Sequence, residues 1–311
     1  MGKKYLAAIS MIVLLILTAC TSEEAPTLTP SPVAEVGQVI VLGDIDQDDP
    51  ISKIEEFQPI IDYLADGLGE FGIGGGEVRI ASDMETMIGF VNDGLVDIYY
   101  DSLFPAMIVA NGTDATPLLR GWRGGEPIYH SVFFALADSG ITTLEDLNGK
   151  IVAYDDVGST SGYMIPAAYL ISNGLNPVEK TSAEVAVADD EVGYVFSNDD
   201  ENTIEWVLSG RVDAGVVDNL TFLKDIPEET MNSLVIIAET ESVPRRVIMV
   251  SPNIEPELRD AIMQLLTDLD ETEEGQALLT ILKTTQFDEF PGGAEAAFEP
   301  IRAMFDIINN R

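Results

Sequence analysis

Two stretches of this chain repeat each other at an offset of 116 residues, which requires two folding units of similar build. Asp83/Asp199, Glu85/Glu201, Ile88/Ile204, Val91/Val207, Gly94/Gly210, Val96/Val212 and Asp97/Asp213 are identical pairs. Each copy runs from a polar start through a helix to Gly-x-Val-Asp and then a short apolar strand. Ser82-x-x-Glu85 fits a capping box, and Asn198-x-x-Glu201 is a weaker version of one. The repeat predicts two lobes, each presenting a helix start and a strand end to a shared cleft. Open α/β sheets bind ligands at the carboxyl ends of their strands.

Around the repeat, strand-like runs recur at 38–45, 78–81, 96–100, 131–136, 151–154, 212–217, 234–238 and 246–250, with helix-period segments between most of them. A helix is expected over 51–68, after an acidic loop. This alternation predicts an α/β fold with mainly parallel sheets flanked by helices. The final stretch, 255–310, reads as helical throughout, with a break at Phe290-Pro291-Gly292-Gly293.

The amino terminus carries a different kind of signal. Lys3 and Lys4 precede an apolar run from Leu6 to Leu17, broken only by Ser10, and Leu17-Thr18-Ala19-Cys20 closes it. The run is shorter than the ~20 residues of a membrane-spanning helix and fits a cleaved export signal. Residues 1–19 are expected to be the signal peptide. Leu-Thr-Ala-Cys resembles a bacterial lipobox, which makes Cys20 the lipidation site on the extracytoplasmic face of a cell membrane. Pro26, Pro30 and Pro32 among Thr, Ser and Glu make 20–37 a tether that cannot bury enough surface to fold.

Charge excludes some partners. With 16 Lys+Arg against 54 Asp+Glu, the net charge is −38. Such a chain does not bind nucleic acid by neutralising phosphates, and its field does not steer anions in from a distance. Cys20 is the single cysteine and His130 the single histidine. No disulfide within the chain, no zinc set and no Ser-His nucleophile is therefore expected. His130, ahead of an apolar strand, reads as a packing or hinge residue. Trp122, Tyr99, Tyr100, Tyr129 and Tyr163 are read as core or cleft lining. The loop Asp44-x-Asp46-x-Asp48-Asp49-Pro50, with Glu55 at the twelfth position, lacks the glycine of a calcium loop at its sixth. It is expected on the cleft rim.

The most specific local feature is Asp155-Asp156-Val157-Gly158-Ser159-Thr160-Ser161-Gly162-Tyr163, between strand 151–154 and a helical run over 164–173. Hydroxyls beside unpaired helix N–H groups, with glycines allowing close approach, make a cradle for an oxyanion.

At this point the chain resembles the substrate-binding proteins of phosphate, phosphite and phosphonate importers. The resemblance rests on Phe57-Gln58-Pro59 with Tyr63-Leu64, Gly94-x-Val96-Asp97 and Tyr129-His130-Ser131-Val132. It continues through Asp138-Ser139-Gly140-Ile141, Leu144-x-Asp146-Leu147-x-Gly149-Lys150, Ser159-Thr160-Ser161-Gly162 and Val212-Asp213-Ala214-Gly215. It implies a two-lobed type II periplasmic-binding fold that closes on a small-molecule ligand and docks on an ABC permease. Lobe 1 would be residues 38–139 with 243–311, and lobe 2 residues 140–242. By the same resemblance Ser159, Thr160 and Ser161 match the family's oxyanion-binding motif. Met84 and Asp101, with Ser102 beside it, stand where phosphonate binders place first-lobe tyrosines, and Asp200 where they place a histidine.

A bare dianion would meet ionised Asp101 and Asp200, at about 4 kcal/mol per pair at 4 Å and an effective dielectric of ~20. A protonated or esterified oxyanion, or a zwitterion with its ammonium against Asp101, Asp200 or Asp218, relieves that conflict. The expected function is thus that of a monomeric, lipid-anchored importer receptor without enzymatic activity, cofactor or metal. The alternatives are a sensing or surface lipoprotein, or a ligand-converting enzyme, on the same fold.

Overall fold

The computed structural model of the protein describes residues 37–47 and 49–310. The expected signal peptide, the tether up to Val36, Cys20 and Asp48 lie outside the described residues. Fourteen strands follow one another along the described residues. The first four are β1 (Gln38–Ile45), β2 (Ile73–Ala81), β3 (Ile98–Ser102) and β4 (Thr116–Arg123), followed by the short β5 (Ile128–Tyr129). Then come β6 (Ser131–Leu136), β7 (Ile151–Tyr154), β8 (Pro177–Glu179), β9 (Val192–Phe196), β10 (Ala214–Asp218) and β11 (Leu234–Glu239). The two-residue β12 (Val243–Pro244) precedes β13 (Arg246–Val250) and β14 (Thr284–Asp288).

They form two six-stranded sheets of matching plan, β14-β4-β13-β3-β1-β2 and β11-β6-β10-β7-β9-β8, joined by the two-stranded ribbon β5-β12. In the first sheet β2, β1 and β3 pair in parallel, and β13 runs back antiparallel between β3 and β4. In the second, β8, β9, β7 and β10 pair in parallel, and β6 runs back between β10 and β11. Each return strand thus brings its amino end to the edge where the parallel strands end, and that edge faces the other lobe.

The repeat seen in the sequence has a structural meaning. Asp97 takes the Val41 N–H on its Oδ2 at 2.8 Å, and its own N–H returns to the Val41 carbonyl at 2.9 Å. Asp213 does the same with Ile151, at 2.9 Å in both directions. In each lobe the Gly-x-Val-Asp carboxylate therefore clamps the start of the next strand to its parallel neighbour, β1 in the first lobe and β7 in the second. The helix caps lie one residue later than expected. Asp83 accepts from the Thr86 N–H at 2.8 Å, and Asp199 from the Glu201 N–H at 2.6 Å. A carboxylate outcompetes Ser82 and Asn198 for these groups because it also meets the positive end of the helix dipole.

The helix Pro50–Gly67 starts at Asp49, which accepts from the Ser52 N–H at 3.1 Å. It buries Phe57, Ile60, Ile61 and Leu64 against β1 and β2. Burying a side chain of that size is worth about 1.5–3 kcal/mol. Its approach to β2 is so close that a Cβ on Gly76 would sit 2.6 Å from the Ile61 carbonyl oxygen. That approach requires a residue without a side chain at Gly76; β2 begins at Ile73 and runs through Gly74-Gly75-Gly76, where strand was expected only from Val78.

Two expectations need correction. The segment after Glu255 is not helical throughout: β14 lies between helices Glu273–Ile281 and Ala294–Asn309 and pairs antiparallel with β4. Thr284 and Phe287 are buried there, and Asp288 holds Arg120 through two hydrogen bonds of 2.7 and 2.8 Å. Second, β6 pairs with β10 and β11, so residues 131–136 belong with the second sheet, and the chain changes sheets at His130, well before the expected 139/140 boundary.

Candidate functional site

The facing sheet edges enclose a cavity of about 630 Å³. On the first lobe its wall is made by the ends of β1, β3 and β4, the start of β13 and the start of helix Met84–Asn92. On the second it is made by the residues following β7 and by the ends of β9 and β10, with the start of helix Asp200–Leu208. All eight residues expected at a ligand site line this one cavity: Met84, Asp101 and Ser102 from the first lobe, and Ser159, Thr160, Ser161, Asp200 and Asp218 from the second.

The second-lobe motif is a π-helical turn, Thr160–Met164, leading into helix Ile165–Ser172. Ser159 caps it, its Oγ accepting the Gly162 N–H at 3.0 Å. Ser131 Oγ donates to the Ser161 carbonyl at 2.6 Å, so β6 braces the turn from behind. Gly162 is obligatory, because a Cβ there would fall inside van der Waals contact with the Asp155 side chain. The Ser161 hydroxyl has no protein hydrogen bond among the described residues, and the first N–H groups of a helix lack intrahelical partners. Ser161 lines the cavity, so its hydroxyl is available there as a donor.

Thr160 has a different role from its neighbours. Its Oγ1 accepts the Phe104 N–H at 2.9 Å and donates to Ser102 Oγ at 3.0 Å, across the cleft. It is 1% exposed, so this hydroxyl ties the lobes together. Lys224 Nζ adds a second tie, donating to the Gly124 carbonyl at 3.2 Å.

Seven aspartates and three arginines line the cavity. Asp218, at the end of β10, receives Arg245 Nη1 at 2.9 Å and Nη2 at 3.2 Å. It also caps the following short helix through the Leu220 N–H at 2.8 Å. Burial raises its pKa, but the Arg245 hydrogen bonds and charge outweigh that and hold it below the usual carboxylate value. Asp101 accepts from Tyr99 Oη at 2.6 Å and from the Ser102 N–H at 2.5 Å, with Arg246 Nη1 at 3.6 Å.

The other second-lobe acids are less satisfied. Burial, then repulsion from Asp155 and Asp218, pushes Asp200 up to about 7, against one hydrogen bond from Thr221 Oγ1 at 3.3 Å. Burial and the neighbouring Asp156 raise Asp155 to about 6. Behind the first-lobe wall, burial and Asp101 raise Asp44 to about 7, opposed by Lys53 and Arg246.

Other sequence readings take their places around this site. Asp46 and Gln47 put the acidic loop on the rim, as read, while Asp49 serves as a helix cap. Tyr129 lies in the cavity wall under Arg245, whose guanidinium is 4.7 Å from the ring centroid. Tyr99 and Tyr100 are buried in the core, Trp122 binds Asp288 through Nε1 at 2.8 Å, and Tyr163 stacks with Tyr154, Tyr194 and Phe196. His130 sits where the chain changes sheets, its Nε2 3.3 Å from Glu239 Oε1. Sequence reasoning missed the arginines. The signal was the adjacent pair Arg245-Arg246 at the head of an apolar strand, in a chain with only 16 basic residues.

A family model described as "ABC transporter, phosphonate, periplasmic substrate-binding protein" matches residues 45–291. The chain belongs to this family. Among its relatives, the phosphate-import protein PhnD of Mycolicibacterium smegmatis is 29% identical over 215 residues, covering 68% of this chain and 64% of that protein. The match therefore spans just under two thirds of that relative's length. The protein XAC2383 from Xanthomonas citri, solved with a chloride ion, superposes with a TM-score of 0.82 at 28% identity, covering 88% of this chain and 99% of that one. The same protein bound to ATP gives a TM-score of 0.81 at 27% identity, over 88% and 98% of the two chains. PhnD1 from Prochlorococcus marinus in complex with methylphosphonate shares the fold, with a TM-score of 0.67 at 14% identity over 88% of this chain and 99% of that one. The family member described here thus has the two-lobed type II periplasmic-binding fold.

Proposed function

We propose that this family member is the extracytoplasmic, lipid-anchored receptor of an ABC importer. It closes on a small ligand bearing a phosphonate- or phosphate-type oxyanion together with a donor or cationic group. The observation that carries this reading is the mixed lining of the interlobe cavity, where three arginines and helix-start donors share a wall with seven aspartates. A purely anionic ligand leaves Asp155 and Asp200 unanswered, and a purely cationic one leaves the cradle donors unanswered. A protonated or esterified oxyanion, or a zwitterion, answers both halves. Ser159, Ser161 and the π-turn N–H groups serve the anionic end, and Asp155 and Asp200 serve the donor end. The size of the cavity fits an organic substituent as well as the oxyanion, within the usual range for small-molecule sites.

A thermal-shift panel of phosphate, phosphite, alkylphosphonates, aminoalkylphosphonates, quaternary amines and ATP tests the reading. A ligand at 100 times its Kd stabilises the folded state by about 2.7 kcal/mol. Aminoalkylphosphonates should give the largest shifts and the polyanion ATP a small one. Shifts from quaternary amines alone would refute the oxyanion half of the proposal. For the anchor, signal residues 1–19 are removed, Cys20 is lipidated, and the segment up to residue 37 tethers the two lobes. Cys20→Ser should yield protein without lipid or block processing, and a mutant still lipidated by mass spectrometry rejects this part.

A further inference from the structure

Arg123 ends β4 and is fixed there by a tight turn. Its N–H donates to the Glu126 carbonyl at 3.1 Å, and Gly124 and Gly125 take φ of +64° and +86° between them. Its half-buried side chain lines the cavity, yet it has no ion-pair or hydrogen-bond partner in the protein among the described residues. That sets it apart from Arg245 and Arg246. Both oxygens of Asp218 are taken by Arg245, and Asp101 is taken by Tyr99, the Ser102 N–H and Arg246. Asp44 has Lys53 at 3.8 Å. Three neighbouring guanidiniums thus face two paired carboxylates, and one positive charge is left over. Burial, then repulsion from Arg246 and Arg245, lowers the pKa of Arg123, so its cation sits in surroundings that disfavour it. A guanidinium offers its donors in a planar fork that fits two oxygens of one oxyanion.

We propose that Arg123 is the anion receptor on the first lobe of the cleft, and that it selects oxyanions carrying a single negative charge, as in a phosphodiester or a phosphonate monoester, over dianions. One guanidinium neutralises one charge. A second negative charge finds no uncompensated cation in the cavity and faces Asp155 and Asp200 on the opposite wall. Through Arg123 on one lobe and the Ser161 hydroxyl on the other, a bound monoanion also links both lobes. The proposal rests on the reading of the cleft as an oxyanion receptor and adds the residue and the charge state.

The test uses the mature chain in chloride-free buffer at pH 9. The calorimetric probes are dimethyl phosphate and methyl methylphosphonate as monoanions, with inorganic phosphate and methylphosphonate as dianions. Wild type should bind the monoanions at least about tenfold more tightly. Arg123→Gln should lose about 10- to 100-fold of that affinity, in line with one charge-assisted contact. Arg123→Lys should recover part of it. Because the Arg123 side chain has no ion-pair or hydrogen-bond partner among the described residues, ligand-free Arg123→Gln should melt no lower than wild type, and a clear drop refutes its unpaired state. Unchanged monoanion binding in Arg123→Gln overturns the assignment and leaves the oxyanion reading standing. Tighter binding of dianions by wild type overturns the charge selection alone, and wild type that binds none of the four probes overturns the oxyanion reading and this proposal together.

Discussion

On the first lip of the cleft, Asp44 and Asp101 stand beside Lys53 and Arg246; on the second, Asp155 and Asp200 stand beside Asp156 and Asp218. Asp44 and Asp200 both reach a pKa of about 7, yet by different balances. For Asp44, burial and one like charge are opposed by two cations. For Asp200, burial and a group of like charges are opposed mainly by one hydroxyl. Around Asp44 and Asp101 the first lip is therefore near charge balance apart from Arg123, while the second stores repulsion. A negative group relaxes the first and a positive or donor group relaxes the second, so the two lips orient a ligand end to end.

The largest effect should come from the buried ion pair that joins the lips. Arg245 and Asp218 are 6% and 5% exposed, and removing one partner of such a pair leaves a buried charge. Arg245→Ala should lower stability by about 3–5 kcal/mol in urea denaturation. A loss below about 1 kcal/mol would mean that the pair is solvated and the lips are electrostatically separate.

Next in size is the stored repulsion on the second lip. The folded-state pKa of Asp200 lies above the ordinary value of 3.8 for an aspartate. Between those two pH values the folded state holds the proton that the unfolded chain has released. Stability therefore falls as pH rises from about 4 to 7 and is level above that. Asp200→Asn removes the penalty. It should stabilise the ligand-free protein by about 2 kcal/mol at pH 8, below the ~4 kcal/mol that the shift alone implies at 1.36 kcal/mol per unit, because cleft water screens the group. The gain should vanish near pH 4. Calorimetric melts at both pH values read this out, and an equal gain at pH 4 would trace it to packing instead.

Smaller again is the tie between the lips. Thr160→Val leaves the buried Phe104 N–H without its acceptor and should cost about 1–2 kcal/mol. If Thr160→Val is neutral, the lobes do not depend on this hydroxyl to stay together. The finest distinction is within the cradle. Ser159→Ala removes a helix cap, worth about 1 kcal/mol, whereas Ser161→Ala should stay within about 0.5 kcal/mol of wild type. Ser161→Ala should show its effect only when an oxyanion is titrated. Reversed stability effects would exchange the roles of the two serines.

The sequence made the second lip far more legible than the first. Asp155 to Tyr163 is continuous in the chain, and its glycines and hydroxyls report the turn directly. Asp97 and Asp213 were visible as a repeat, though their clamping role needed coordinates. The first lip is assembled from Asp101, Arg123 and Arg246, whose nearness depends on β13 running back between β3 and β4. No local pattern encodes that return. The expectation that a dianion would be repelled by Asp101 took no account of Arg246, for the same reason. β14 was missed because Thr284 to Asp288 is short and set between two helices, and only its pairing with β4 makes it a strand.

The ribbon β5-β12 is two residue pairs long, Val243 with Tyr129 and Pro244 with Ile128. The residue following each strand is fastened to a neighbouring point on the second lobe: Arg245 to Asp218, and the His130 N–H to Asn219 Oδ1 at 3.2 Å. The arrangement is that of a lever with its fulcrum beside the load. A ribbon so short yields to bending more readily than to sliding, while Phe298 and Ile301 of the last helix pack with Met164 and Ile165 across the same junction. Because Asp218 is both cavity wall and fulcrum, a charge arriving in the cleft acts at the pivot itself. The occupancy of the cleft would then reach the outer faces of the molecule as an angle, amplified by the length of each lobe.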